Sequence, residues 1–214
     1  MPGSVSVATK KREAHQKAEV LCKETSLTSH ECELLIKFMQ TNCKPGTDRL
    51  DKMKLRDILI EHFEFTDSIL MDQVFKTFDT DSDGFLTIDE WVKGMSVFLR
   101  GSTADQSQFC FKTYDMKLEG SLTRDVMFTL LKSCLADRGA QELGEDDPEE
   151  GVKDLIETVL KKMDIDKDTK VGFDDYKSSC EKERLLLEFL GKVLPENRQV
   201  NNFFNYLEHC RFYE

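Results

Sequence analysis

From Thr28 onward, apolar residues recur at helical spacing and are interrupted by short acidic stretches. The i, i+3, i+4 recurrence predicts a chain of amphipathic helices. One start signal is explicit. Thr28-x-x-Glu31 reads as a capping box with Leu27 as its hydrophobic staple, and Leu34, Leu35, Phe38 and Met39 follow at helical spacing. Upstream, a small polar stretch over 1–9 and Lys10-Lys11-Arg12 lead into a short helix from about Glu13 to Cys22, with Ala14, Ala18 and Leu21 on one side.

Three later segments share one design: an amphipathic helix, an Asp, a short acidic loop and a second helix. Their starts are Phe75-x-x-Phe78-Asp79, Phe111-x-x-Tyr114-Asp115 and Leu160-x-x-Met163-Asp164. Seven residues after each Asp stands an aliphatic residue (Leu86, Leu122, Val171), and five further on come Trp91, Met127 and Tyr176. This is an internal repeat. One such unit cannot bury its apolar faces alone, so units pair through a short strand at the aliphatic loop residue. Pairing requires an even number, and a degenerate fourth unit lies upstream, with helices over about 30–40 and Lys52–His62. Its loop, Asn42-Cys43-Lys44-Pro45-Gly46, lacks ligand-type residues at alternate positions.

The expected architecture is therefore all-α and two-lobed: four helix–loop–helix units in two pairs, with short two-stranded pairings between loops. The lobes are drawn at 26–101 and 102–195, with the chain broken at Gly101-Ser102-Thr103; residues 1–25 form a basic, helical N-terminal segment. The loop starts lie 36 and then 49 residues apart, and the 13 extra residues fall within an acidic linker over 136–151. Five of the six residues from Glu145 to Glu150 are acidic, which reads as a solvated loop. After a Leu185–Leu190 apolar patch and a break at Pro195, the tail over 196–214 holds a last helix from about Gln199 to Arg211.

The acidic loops carry the chemistry. Calcium takes six to eight oxygens, which a twelve-residue EF-hand loop supplies from fixed positions. The loop Asp79–Glu90 meets every requirement: Asp79, Asp81 and Asp83 at positions 1, 3 and 5, and Gly84 for the turn at 6. The Phe85 carbonyl stands at 7, Thr87 at the often water-bridged 9, and Glu90 closes the loop with two oxygens. In Asp115–Val126, Lys117 stands at position 3 and Val126 at 12, so that loop reads as a folded, metal-free hand. Asp164–Asp175 is intermediate. Asp164, Asp166 and Asp168 hold positions 1, 3 and 5, with Lys170 at 7 through its carbonyl. Thr169 replaces the glycine and Asp175 the closing Glu, which weakens the site and lets magnesium compete with calcium.

Composition narrows the function further. A net charge of −11 argues against generic nucleic-acid binding and against anionic membrane surfaces. Seven cysteines with no CxxC pair suggest free thiols in a reducing compartment. No apolar run reaches membrane-span length and no signal peptide is seen; Met1-Pro2-Gly3 lacks the myristoylation glycine, so a cytoplasmic protein without that anchor is expected. His15, His30, His62 and His209 form no HExxH pair, and no phosphate-binding glycine loop or nucleophile–base set appears, so no enzyme is expected.

With these residues in view, the four-hand layout resembles the neuronal calcium sensor group. Carriers of that likeness are Cys43-Lys44-Pro45-Gly46 and the capping stretch Thr25-Ser26-Leu27-Thr28-Ser29-His30-Glu31. Over roughly 30–195 the chain is more closely similar to the calaxin family, EF-hand proteins of ciliary outer dynein arms. Phe65-Thr66-Asp67, Val74–Asp79, Ser96–Ser102, Asp147–Leu155 and Leu160–Asp164 carry the resemblance, and the acidic linker is its most specific part. The resemblance implies an axonemal calcium sensor without enzyme activity. Its implied partners are dynein heavy chain or coiled coils of the outer arm docking complex. The Asp115 loop, Thr169 and Asp175 depart from that family pattern.

Two functional readings stay open. In a sensor, calcium would draw Glu90 inward and swing the helix bearing Trp91, Met95 and Phe98, opening an apolar groove. In a constitutive adaptor, the folded hands would serve as a docking wedge whatever their metal content. A passive buffer needs more good loops than one. The tail helix, with Phe203, Phe204, Tyr206 and Leu207, either folds back into the groove of one lobe as a competitor or docks on an outside partner.

Overall fold

The computed structural model describes residues 7–43, 47–137, 148–210 and 212. Lys44-Pro45-Gly46 and most of the acidic linker lie outside them. Helices α1 (Val7–Leu21), α2 (Ser29–Asn42), α3 (Lys52–Phe63), α4 (Ser68–Phe78) and α5 (Ile88–Arg100) are followed by α6 (Thr103–Tyr114), α7 (Arg124–Asp137), α8 (Pro148–Met163), α9 (Phe173–Lys182) and α10 (Asn197–His209). Four two-residue strands lie in the loops: β1 (Leu50–Asp51), β2 (Phe85–Leu86), β3 (Ser121–Leu122) and β4 (Val171–Gly172). Apart from these, the regular structure of the described residues is helical, as the periodicity predicts. None of the described helices is long and apolar enough to cross a membrane.

The strands form two antiparallel pairs. Leu50 faces Leu86 and Asp51 faces Phe85; Ser121 faces Gly172 and Leu122 faces Val171. Leu122 and Val171, both singled out by the repeat, thus meet in one pair, and Leu86 meets Leu50, which the repeat did not single out, in the other. Leu50, Leu86, Leu122 and Val171 are all fully buried.

Two compact units result. One comprises Met1–Glu64, Phe78–Gly101 and Pro195–Glu214, and the other Phe65–Thr77 and Ser102–Leu194. Residues 65–77 therefore group with the second unit, not with the segment 26–101 that sequence spacing joins. The tail 195–214 groups with the first.

The helix starts follow local chemistry. Thr28 caps α2 by accepting the Glu31 N–H at 3.2 Å, while Glu31 accepts the Thr28 N–H at 2.8 Å. Ser102 and Asp105 make the same reciprocal box at the start of α6. At the end of α3, Glu64 enters the left-handed region at φ 57° and closes the helix.

In the first unit, Trp91 is fully buried and donates its indole N–H to the Leu35 carbonyl at 3.0 Å, tying α5 to α2. Phe203 of α10 packs among Phe38, His62 and Phe63, with ring centroids 5.5, 5.1 and 5.0 Å away. Gln199 fixes the same helix by donating to the Phe63 carbonyl at 2.8 Å. Gly94 allows α5 to meet the Phe78 ring, because a Cβ there would lie 2.6 Å from its Cγ. In the second unit, buried Tyr114 donates to the Gly191 carbonyl at 2.6 Å and buried Tyr176 donates to the Leu187 carbonyl. Burial pushes both phenols above their ordinary range.

Two outcomes follow from the α10 contacts. Phe203→Ala should lower the stability of the first unit by about 3–5 kcal/mol, read by urea unfolding, because a buried ring leaves a cavity. His62, half-buried against Phe203 and Tyr206, has its pKa lowered by burial, partly offset by Glu61. Its contribution is therefore complete above the unfolded value of about 6.5 and is lost as pH falls through the lower folded value. Between pH ~7.5 and ~5, wild type should lose more melting temperature than His62→Gln.

Candidate metal centre

The Asp79–Glu90 loop connects α4 to α5 and is shaped by its own carboxylates. Asp79 is buried; its Oδ1 accepts the Asp83 N–H at 3.2 Å and its Oδ2 the Gly84 N–H at 3.0 Å. Asp81 Oδ1 takes the Asp83 N–H at 3.1 Å, and Asp83 Oδ1 takes the Phe85 N–H at 2.9 Å. Ser82 at φ 58° and Gly84 at φ 84° make the turn. Carboxylate oxygens of Asp79, Asp81 and Asp83 converge within 4.8 Å of one another.

Glu90 bridges the two ends of the loop. Its Oε1 accepts from the Thr80 N–H and hydroxyl, both at 2.9 Å, and its Oε2 from the Thr87 N–H at 2.9 Å and hydroxyl at 2.8 Å. Thr87 serves as the N-cap of α5 and accepts the Glu90 N–H in return. Burial opposes ionisation of Glu90, but the Thr87 and Thr80 donors outweigh it and hold the acid below its usual range. Asp79 goes the other way. Burial raises it, the Gly84 and Asp83 N–H groups oppose the rise, and the charges of Glu90 and Asp81 add to it. Such a cluster is electrostatically uncomfortable without a cation, and its all-oxygen donor set suits a hard divalent ion.

The Asp164–Asp175 loop repeats the plan. Asp164 accepts from the Asp168 and Thr169 N–H groups at 3.1 and 2.9 Å, and Asp168 from the Lys170 N–H at 2.8 Å. Asp164, Asp166 and Asp168 form the second trio of convergent carboxylates among the described residues. Thr169 does adopt the left-handed conformation, at φ 71°. Asp175 is raised by burial and by the charges of Asp166 and Asp164, while the Ile165 and Gly172 N–H groups partly offset the rise. Ile165 is the counterpart of Thr80, so the shorter closing acid still turns toward the start of its loop.

The Asp115–Val126 loop keeps the backbone turn but carries Lys117 and Val126 at positions 3 and 12. Asp115 accepts from the Glu119 and Gly120 N–H groups at 3.0 and 2.7 Å, and Leu118 and Gly120 have φ of 57° and 70°. Val126, at the closing position, is buried in the core, and Lys117 Nζ stands 3.9 Å from Asp125.

Sequence reasoning missed two cations near the first of these loops. Arg49 Nη1 lies 2.5 Å from Asp83 Oδ2, and Lys17 Nζ lies 2.5 Å from Asp89. Their partners are 34 and 72 residues away in sequence. The strand register that brings Leu50 to Leu86 was the one signal that could have placed Arg49 there.

A helix–loop–helix bearing carboxylates at positions 1, 3, 5 and 12 defines an EF-hand protein of the calcium-binding class, and the EF hand domain family matches residues 70–98. The chain belongs to the calaxin family. It is 42% identical to calaxin of Xenopus laevis over 160 residues, which cover 74% of this chain and 75% of that protein. Calaxin of Danio rerio is 37% identical over 204 residues, 91% of this chain and 95% of the relative. Human calaxin is 42% identical over 154 residues, covering 72% and 71%.

The left-handed Thr169 yields a direct test. Thr169→Gly should stabilise the second unit by about 1 kcal/mol in chemical unfolding, because glycine enters that region without a Cβ clash. The same substitution in an ordinary helical position would destabilise, by only about 0.3 kcal/mol.

Proposed function

We propose that this chain is a calcium-responsive, non-enzymatic regulator of the ciliary axoneme that acts at the outer dynein arm or its docking complex. Calcium is held first by Asp79, Asp81, Asp83, the Phe85 carbonyl and Glu90, with Thr87 behind a bridging water. Asp164, Asp166, Asp168, the Lys170 carbonyl and Asp175 form a weaker second site open to magnesium. The convergence of Asp79, Asp81 and Asp83, with Glu90 already turned onto the loop, carries the metal part of this reading. Membership of the calaxin family supports the axonemal part, and dynein heavy chain or docking-complex coiled coils are the proposed partners.

Calcium at this site would engage the Glu90 carboxylate and neutralise the repulsion around Asp79. Because Glu90 opens the first turn of α5, any adjustment at the loop passes into the helix bearing Trp91, Met95 and Phe98.

A constitutive adaptor is the second reading, and one observation favours it. Within the first unit α5 is fastened along its length, by Lys93 to Glu24 at 2.7 Å, Ser96 to the Ser26 N–H at 2.9 Å and Arg100 to Glu31 at 3.0 Å.

Calorimetric titration with calcium and with magnesium, on wild type and Glu90→Gln, tests the proposal. The tighter calcium event should weaken by at least about tenfold in Glu90→Gln, as one bidentate ligand is lost. Trp91 fluorescence followed in parallel separates the readings: a calcium-dependent change supports the sensor, and an unchanged signal with intact binding supports the adaptor.

A further inference from the structure

The first hand has no acidic trio of its own, yet it sets a cation on a ligand of the second. Arg49, the residue before β1, pairs through Nη1 with Asp83 Oδ2 at 2.5 Å. Asp83 is position 5 of the Asp79–Glu90 loop. Its other oxygen already accepts the Phe85 N–H, so both carboxylate oxygens are engaged. The contacts described for Asp79 and Asp81 are with main-chain N–H groups, which turn aside more readily than a full charge does.

The placement follows from the strand register. Leu50 facing Leu86 fixes Arg49 beside the loop of the partner hand. The second unit has the same register, Leu122 facing Val171, and there the residue before the paired aliphatic is Ser121. The counterpart of Asp83 is then Asp168. The cation is therefore particular to the first unit and not a requirement of pairing two hands.

We propose that Arg49 is an affinity-setting residue of the Asp79–Glu90 site: its guanidinium competes with calcium for the Asp83 carboxylate and keeps binding weaker than the loop's own ligands would give. The proposal rests on the reading that this loop binds calcium. Positioning alone does not account for the contact, because the Phe85 N–H already orients Asp83 and the Asp83 N–H is held by Asp79 and Asp81. A guanidinium stays charged at any pH the protein tolerates, so the competition is constant and ends only if the side chain is moved. Movement of Arg49 by a partner would then raise calcium affinity, and calcium would in turn favour the partner by the same factor.

The test is calcium titration by calorimetry on the full chain as wild type, Arg49→Gln, Arg49→Lys and Glu90→Gln, at about 50 and about 500 mM KCl. Arg49→Gln should bind roughly three- to tenfold more tightly at low salt, the effect of one screened unit charge beside a divalent ion, and the gap should narrow at high salt. Arg49→Lys, which keeps the charge and disturbs the fold least, should stay near wild type. Unchanged or weaker binding by Arg49→Gln overturns the proposal, and so does equal tightening by Arg49→Lys. Loss of all calcium heat in wild type, or heat indifferent to Glu90→Gln, overturns the loop reading and the proposal with it. The two failures are thus told apart.

Discussion

Each of the four hand loops holds a two-residue strand paired antiparallel with the loop of a neighbouring hand. A helix–loop–helix unit has one apolar side and no way to cover it alone, and the strand pair is where two such units lock. Leu50 against Leu86 and Leu122 against Val171 are buried without residue. Four fully buried aliphatic side chains at these two seams contribute on the order of 6–12 kcal/mol in gross transfer terms, before chain entropy is charged against them. The pairing explains why hands with poor ligands persist. The loops around Leu50 and Leu122 are needed as templates for the acidic loops opposite them, whatever they bind.

The same constraint separates two duties of the first loop residue. Asp79, Asp115 and Asp164 each accept N–H groups from positions 5 and 6 of their own loops. That internal turn is built from the chain's own carboxylate and N–H groups. It gives Asp115 a reason to remain in a loop whose closing position is the buried Val126. Ligand chemistry is then layered on a turn that already exists, and what distinguishes the three loops is chiefly the residue at position 12: Glu90, Val126 or Asp175.

Local signals made most of this legible in the sequence. The Thr28–Glu31 box and the repeat around Asp79, Asp115 and Asp164 depend on neighbours within about a dozen residues. What escaped was non-local. Helix α1 begins at Val7, earlier than the apolar pattern indicates, and makes contacts along α2 that its own weak periodicity does not announce. The grouping of 65–77 depends on which core those residues enter. Arg49 is a lone charge in a loop without ligands, and only the strand register reveals its counterpart. For the tail, the sequence offered fold-back or an outside partner; burial of Phe203 and the Gln199 hydrogen bond to Phe63 show that the helix packs on its own first unit.

These contacts also bear on how far calcium could move α5. The helix is held at Asp89 by Lys17, at Lys93 by Glu24, at Ser96 by the Ser26 N–H and at Arg100 by Glu31, with Arg100 also lying 5.1 Å over the Phe204 ring. Exposed ion pairs are worth about 0–1 kcal/mol each, so the set opposes displacement by a few kcal/mol at most. A site binding calcium at micromolar strength has about 8 kcal/mol of binding free energy, but only the part that differs between two helix positions can move the helix. Glu90 is hydrogen-bonded to both Thr80 and Thr87, so the closing residue of the loop and the first turn of α5 share one set of donors. Calcium shifts α5 only if the differential it supplies exceeds this fastening. The Arg49–Asp83 pair is not among the contacts that fasten α5, so on the proposal above the strength of calcium binding and the freedom of α5 are set by different residues.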